Sequence, residues 1–178
     1  MNIFFTNRDP KQCAREHSRV HVRKMIIETA QLLSAAHRVL DGNRWADLHG
    51  FYKVRNHDHP CMRWVRENSA NYFWTVDLFD GLCDSYHLET GGLHKVQLFR
   101  THLRAAPKSI PYSGMIGTPP RVVPKVFHRE TVAASYQAYL NVKFQRWQAR
   151  KPPIEVSFFF GAPEWLAPEI KPQRIIRP

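Results

Sequence analysis

Five polar side chains in the first part of the chain, His17, His21, Lys24, Glu28 and Gln31, recur at intervals of four, three, four and three. At about 100° per residue, this spacing sets them in one narrow line along a helix. Met25 and Leu32 flank the line on one side and Val20 and Ile27 on the other, so the polar groups are embedded in apolar surface. Ionisable groups placed in this way are costly unless they pair, meet a cleft or do chemistry. The residue types leave three readings open. The line is an internal ladder, with Lys24 and Glu28 paired at i,i+4. Alternatively it floors an active cleft, with Glu28 as general acid or base and Lys24, His21 and His17 tuned around it. In the third reading His17 and His21, four apart, share a metal ion. That reading is short of a ligand, because Glu28 lies roughly 16 Å from His17 along a helix axis. The H-E-x-x-H pattern of zinc proteases is also absent. No metal ligand and no cofactor is assigned.

Other positions supply groups suited to nucleic acid. Tyr136, Tyr139, Lys143 and Trp147 fall on one helical stripe that mixes a cation with three rings, a surface fit for stacking bases and attracting phosphate, with core packing as the competing use. Arg66 is the candidate phosphate ligand of the preceding helical segment, and Tyr72 a donor that faces the first helix. His94 and Lys95 follow Gly91-Gly92 and offer a mobile basic contact.

The elements that must position these groups follow from periodicity and breakers. A long helix is expected from about Lys11 to Leu40, entered through Asp9-Pro10 and closed by Asp41-Gly42. A second starts at His59-Pro60 and continues to about Tyr86, on the spacing of Cys61, Val65, Tyr72, Val76, Phe79 and Cys83. A short helix is expected over 94–103, an irregular connection over 107–124, and a last helix from about Glu130 to Arg150. Residues 154–160 read as extended and are candidates to pair with 3–6, and the proline-bearing tail from Gly161 to Pro178 wraps the domain or frays. The expected fold is therefore mainly α: a single domain over 1–178, with a bundle of three to four helices over about 9–150. At most one small two-stranded β element is expected near the termini, ahead of an extended C-terminal segment over about 151–178.

Composition sets the class of partner. The chain has 178 residues, 43% hydrophobic and 12% aromatic, enough to build one sizeable core. Lys and Arg number 26 against 15 Asp and Glu, a formal charge of +11 that favours polyanionic partners, DNA first among them. Cys13, Cys61 and Cys83 show no C-x-x-C spacing, so neither a disulfide framework nor a cysteine zinc site is suggested. No apolar run approaches the roughly 20 residues of a membrane span. A soluble, cytoplasmic protein without a membrane partner is expected.

The run Glu16-His17 to His21-Val22-Arg23-Lys24-Met25, with Glu28-Thr29-Ala30-Gln31-Leu32-Leu33, resembles a set of small helical proteins common in phage genomes. The likeness continues through His59-Pro60-Cys61, Trp64 to Glu67, His94-Lys95 and Tyr136 to Trp147. More distantly, the arrangement is similar to the phage pyrimidine-dimer DNA glycosylases, which are small, basic, all-helical enzymes. That resemblance implies that Glu28 is the catalytic glutamate. In those enzymes the nucleophile is the amino group of the mature chain's first residue, which forms a Schiff base with the sugar. Here the large Asn2 implies that Met1 is retained, and Lys24 is the substitute amine, provided burial lowers its pKa. The function expected is a base-excision DNA glycosylase, with possible lyase activity, acting on a damaged or modified base. Two alternatives stand beside it: a non-enzymatic nucleic-acid-binding or inhibitory protein, and a metal-dependent nuclease.

Overall fold

In the computed structural model, residues 2–53 and 55–173 are described. The chain enters through a buried segment, Ile3 to Thr6, before the first turn of helix forms. Helix α1 (Pro10–Arg15) starts where Asp9 accepts the backbone N–H groups of Lys11 and Gln12, with proline in the first turn where its missing donor costs nothing. The expected single helix is interrupted at 16–18. Ser18 is extended (φ −64°, ψ 151°), bridges Phe158 in antiparallel fashion, and is followed by Arg19, whose N–H donates to Ser157 O at 2.9 Å. Helix α2 (Arg19–Asp41) then runs without interruption to Gly42, whose φ of +80° turns the chain into α3 (Asn43–Leu48).

The second expected helix is also divided. Helix α4 (Pro60–Glu67) ends at Asn68, which is extended and caps α5 (Ser69–Thr90) by accepting the Asn71 N–H. Asparagine is a favoured N-cap because its side chain satisfies an orphan donor of the first turn. Helix α5 stops at Gly91 in the left-handed region (φ +67°). The 94–103 segment forms a 3-10 turn (Lys95–Phe99) continuing into α6 (Arg100–Leu103). A second 3-10 turn (Lys125–Phe127) precedes α7 (Val132–Gln148), which Thr131 caps through Ala134 N–H.

The mainly helical class holds, but the count of three to four helices does not: seven α-helices are present among the described residues. Nor is there a strand among them. Residues 154–160 meet the chain through the single Ser18–Phe158 bridge and do not form a ladder with 3–6. No helix among the described residues is long and apolar enough to cross a membrane. The expectation for the last residues of the tail, 174–178, lies outside the described residues.

Helix α2 is the central element, packed against α3, α4 and α5, while α1 lies on α5. The last approach is close: a Cβ on Gly81 would stand 2.7 Å from Ala14 Cβ, so glycine is required there by contact and not by turn geometry. Helix α7 crosses the entry segment and the 156–158 stretch, with Phe144 set edge-on to Phe158 at 5.9 Å. Met25, Ile26, Leu32, Leu33, Phe79 and Leu82 are fully buried at the centre. Residues 2–6 are thereby held between α2 and α7, where the polar line of α2 emerges.

Candidate active site

Glu28 is 9% exposed, and both carboxylate oxygens are engaged. Oε2 accepts the backbone N–H of Asn2 at 2.7 Å, and Oε1 lies 3.3 Å from Lys24 Nζ one turn back on α2. Asn2 is itself fixed: its Nδ2 donates to Val122 O at 2.9 Å and its Oδ1 accepts Ile3 N–H at 2.8 Å. Tyr136 completes this bracket. Its hydroxyl accepts Val122 N–H at 3.1 Å and gives its proton to Asn2 Oδ1 (2.9 Å) or Pro120 O (2.8 Å). Met1 lies outside the described residues.

Phe4 carries the strain of the site. Its φ is +47°, a left-handed conformation uncommon for a bulky side chain and sustained only where surrounding packing enforces it. Its ring lies 4.9 Å from that of His21 and 5.0 Å below Lys143 Nζ. The same ammonium stands 5.1 Å from the Trp147 ring and 5.8 Å from Tyr139, so Lys143 occupies a box of three aromatic faces. Burial, reinforced by the Lys24 charge and opposed by Glu28, pushes the half-buried Lys143 amine below its ordinary value. The rings act the other way, since aromatic faces attract a cation. Lys24, by contrast, is 71% exposed, so the burial that its role as an activated amine requires is absent. Lys143 is the amine that the fold partly desolvates.

The two histidines of the line separate. His21 stays on α2, with Nδ1 3.1 Å from Ser18 Oγ and its ring between Phe4 and Trp147. Burial, then the charges of Lys143, His17 and Lys24, hold it well below the imidazole range, so it is neutral at pH 7. His17 falls in the break between α1 and α2 and donates from Nδ1 to Cys13 O at 2.7 Å. Burial takes it down to about 4 against that hydrogen bond. It is a neutral structural residue next to the line and no longer part of it.

Of the remaining candidates, Tyr139, Lys143 and Trp147 join Glu28, Lys24 and His21, whereas Tyr136 is buried as the strut described above. Tyr72 is equally buried, its hydroxyl donating to Leu103 O at 2.7 Å and meeting His37 Nε2 at 2.8 Å, and it presents no surface to a ligand. Arg66 turns back onto its own loop, donating to His57 O and lying 3.8 Å from Asp58. His94 caps the 3-10 turn through Val96 N–H, with Lys95 exposed beside it, and neither is brought to Glu28.

Sequence reasoning missed Asn2, Phe4 and His59. Asn2 entered only as the large second residue that retains Met1 and Phe4 only within the 3–6 segment, and nothing in a phenylalanine marks a positive φ. His59 is held below its ordinary value by burial while the Glu28 charge opposes, which puts it within electrostatic reach of the carboxylate. The thiols contribute no nucleophile: burial raises Cys13 to about 11 and Cys61 to about 12, and raises Cys83 further.

Comparison with known proteins finds no family model, curated protein or solved structure that matches this chain.

Proposed function

We propose that the protein is a DNA-processing enzyme, a base-excision glycosylase acting on a damaged or modified base, with Glu28 at its centre. The observation that carries this reading is one buried carboxylate met by a backbone N–H and an exposed lysine, with a half-buried, ring-boxed lysine within reach of its charge. A buried carboxylate beside a π-rich wall suits cleavage of an N-glycosidic bond, whose transition state places positive charge on the sugar. In this scheme Glu28 stabilises that charge or activates the attacking water. Tyr139 and Trp147 stack on the extruded base, and Lys24 and Lys143 attract the flanking phosphates. Where the reaction proceeds through an imine, Lys143, the amine that the fold partly desolvates, attacks the anomeric carbon as the base departs with a proton; the sugar ring then opens to the imine, and water later hydrolyses it. The sequence resemblance to the pyrimidine-dimer glycosylases supports the role given to Glu28.

A second reading is favoured by one specific observation: both oxygens of Glu28 already have partners within the chain, as an internal strut would. The protein would then bind nucleic acid without chemistry. The metal-dependent nuclease is the weakest of the three. Among the described residues no group of three or more His, Cys, Asp or Glu side chains is placed to hold an ion.

The test is incubation of the protein, with chelator present, on genomic DNAs carrying natural and modified bases. Mass spectrometry then detects released base, and borohydride traps any imine. Release that is lost in Glu28→Gln supports the glycosylase; salt-dependent binding without release supports the second reading.

A further inference from the structure

A second concave site lies on the opposite face of α2 from Glu28 and nine residues along, about 13 Å by helical rise. It is a cavity of about 680 Å³ where the end of α2 and α3 meet the 105–108 turn. One wall is apolar, formed by Trp45, Leu48 and Ala106, and Leu48 is 78% exposed. Arg44 and Lys108 stand at the same cavity as exposed cations. The hollow is braced: Asp41 accepts the backbone N–H groups of Lys108 at 2.6 Å and Ser109 at 3.0 Å, which pins the turn against the end of α2.

His37 adds an independent sign of a ligand. It is 2% exposed, lines the cavity and stacks on Trp45 at 4.5 Å and 30°. Tyr72 spends its proton on Leu103 O, so its oxygen accepts from His37 Nε2–H. That fixes the tautomer and leaves Nδ1 as an acceptor, and this nitrogen has no partner among the described residues. His17 Nε2 and His21 Nε2 also lack partners, but of these three histidines it is His37 that lines this cavity, where a group from outside the chain can supply the donor.

We propose that this cavity binds a nucleotide unit, its base against Trp45 and Leu48 and its phosphate between Arg44 and Lys108. The volume falls in the range of small-molecule sites, Trp45 and Leu48 give a base an apolar wall beside the His37–Trp45 stack, and a base N–H supplies the donor that His37 Nδ1 lacks. The phosphate provides the charge that two cations against one already committed carboxylate select. The unit is either a free mononucleotide or one residue of a strand, and the chemistry is the same for both. The site is separate from Glu28 and stands whether or not the protein excises bases.

Calorimetric titration of the full chain tests the assignment, with deoxyadenosine 5′-monophosphate, deoxyadenosine, inorganic phosphate and a short single-stranded oligonucleotide as probes. The monophosphate is expected to bind about tenfold or more tightly than the nucleoside or phosphate alone. Arg44→Glu with Lys108→Glu, both at exposed positions, is expected to cost about tenfold or more, while a charge-reversed Lys11→Glu/Arg146→Glu protein keeps its nucleotide affinity. If only the oligonucleotide binds, and the double variant weakens it more than a charge-reversed Lys11→Glu/Arg146→Glu control, the site takes a unit of a strand. Binding of every probe unaffected by the double variant overturns the proposal, as does phosphate binding as tightly as the nucleotide. Loss of base release in Glu28→Gln with nucleotide affinity intact separates this site from the other.

Discussion

The backbone N–H of Asn2 donates to Glu28 Oε2 at 2.7 Å, joining the start of the described chain to the middle of α2. A carboxylate held in this way is immobile and partly desolvated, yet one of its oxygens still faces an exposed lysine. Substitution at this position separates a chemical from a structural role of Glu28. Glu28→Gln keeps an oxygen acceptor for the Asn2 N–H. It is therefore expected to unfold within about 1 kcal/mol of the wild type in urea, whereas Glu28→Ala, which orphans that donor, loses about 1–3 kcal/mol. Strong destabilisation by Glu28→Gln would assign the residue to architecture.

Histidine burial sets a pH window for stability. His17 titrates near 4 in the fold and near its ordinary 6.5 once unfolded, so between these values the unfolded chain binds the extra proton. Stability is therefore fully present above about pH 6.5 and declines as pH falls toward 4, by up to about 3 kcal/mol for this one residue. His21, also lowered, acts in the same direction. Urea midpoints measured from pH 7 to 4 should fall steadily in the wild type and less steeply in His17→Gln.

Close packing of α1 on α5 gives a prediction independent of function. Gly81→Ala places a methyl 2.7 Å from Ala14 Cβ and should cost about 1–3 kcal/mol by overpacking. Ala14→Gly in the same chain should restore part of that loss beyond the sum of the single effects, which thermal or urea unfolding of the four proteins would show.

Lys143 distinguishes a surface that binds DNA from one that merely packs. With its ammonium over three rings, Lys143→Gln should weaken DNA binding and lower the slope of log affinity against log salt by about one contact. An unchanged slope would mean that the boxed cation meets no phosphate.

The helical class and the approximate extent of α7 were legible because its apolar periodicity and Thr131 cap are local. The Asn68 break was also legible in principle, since asparagine is a favoured cap, but the continuing period from Val65 to Tyr72 concealed it. The break at Ser18 depends on a carbonyl supplied by Ser157, and no local pattern announces a partner so distant in sequence. At the site, the spacing identified Lys24, His21 and Glu28 on one face. It placed His17 with them only because the α2 period was extended through residues where the helix stops. The aromatic stripe was half legible: one line contains both the buried Tyr136 and the ring box about Lys143, and periodicity cannot say which members face inward. Asn2 and Phe4 reach the site through tertiary packing and a backbone conformation that their residue types do not encode.

If Glu28 drives removal of a base from DNA, free base is released from modified or natural DNAs, as followed by mass spectrometry for the wild type and Glu28→Gln side by side. Release is expected from at least one modified DNA with the wild type, reduced about a hundredfold or more in the variant at unchanged fold and DNA affinity. No released base from any of the DNAs, or release undiminished in Glu28→Gln, would contradict that role.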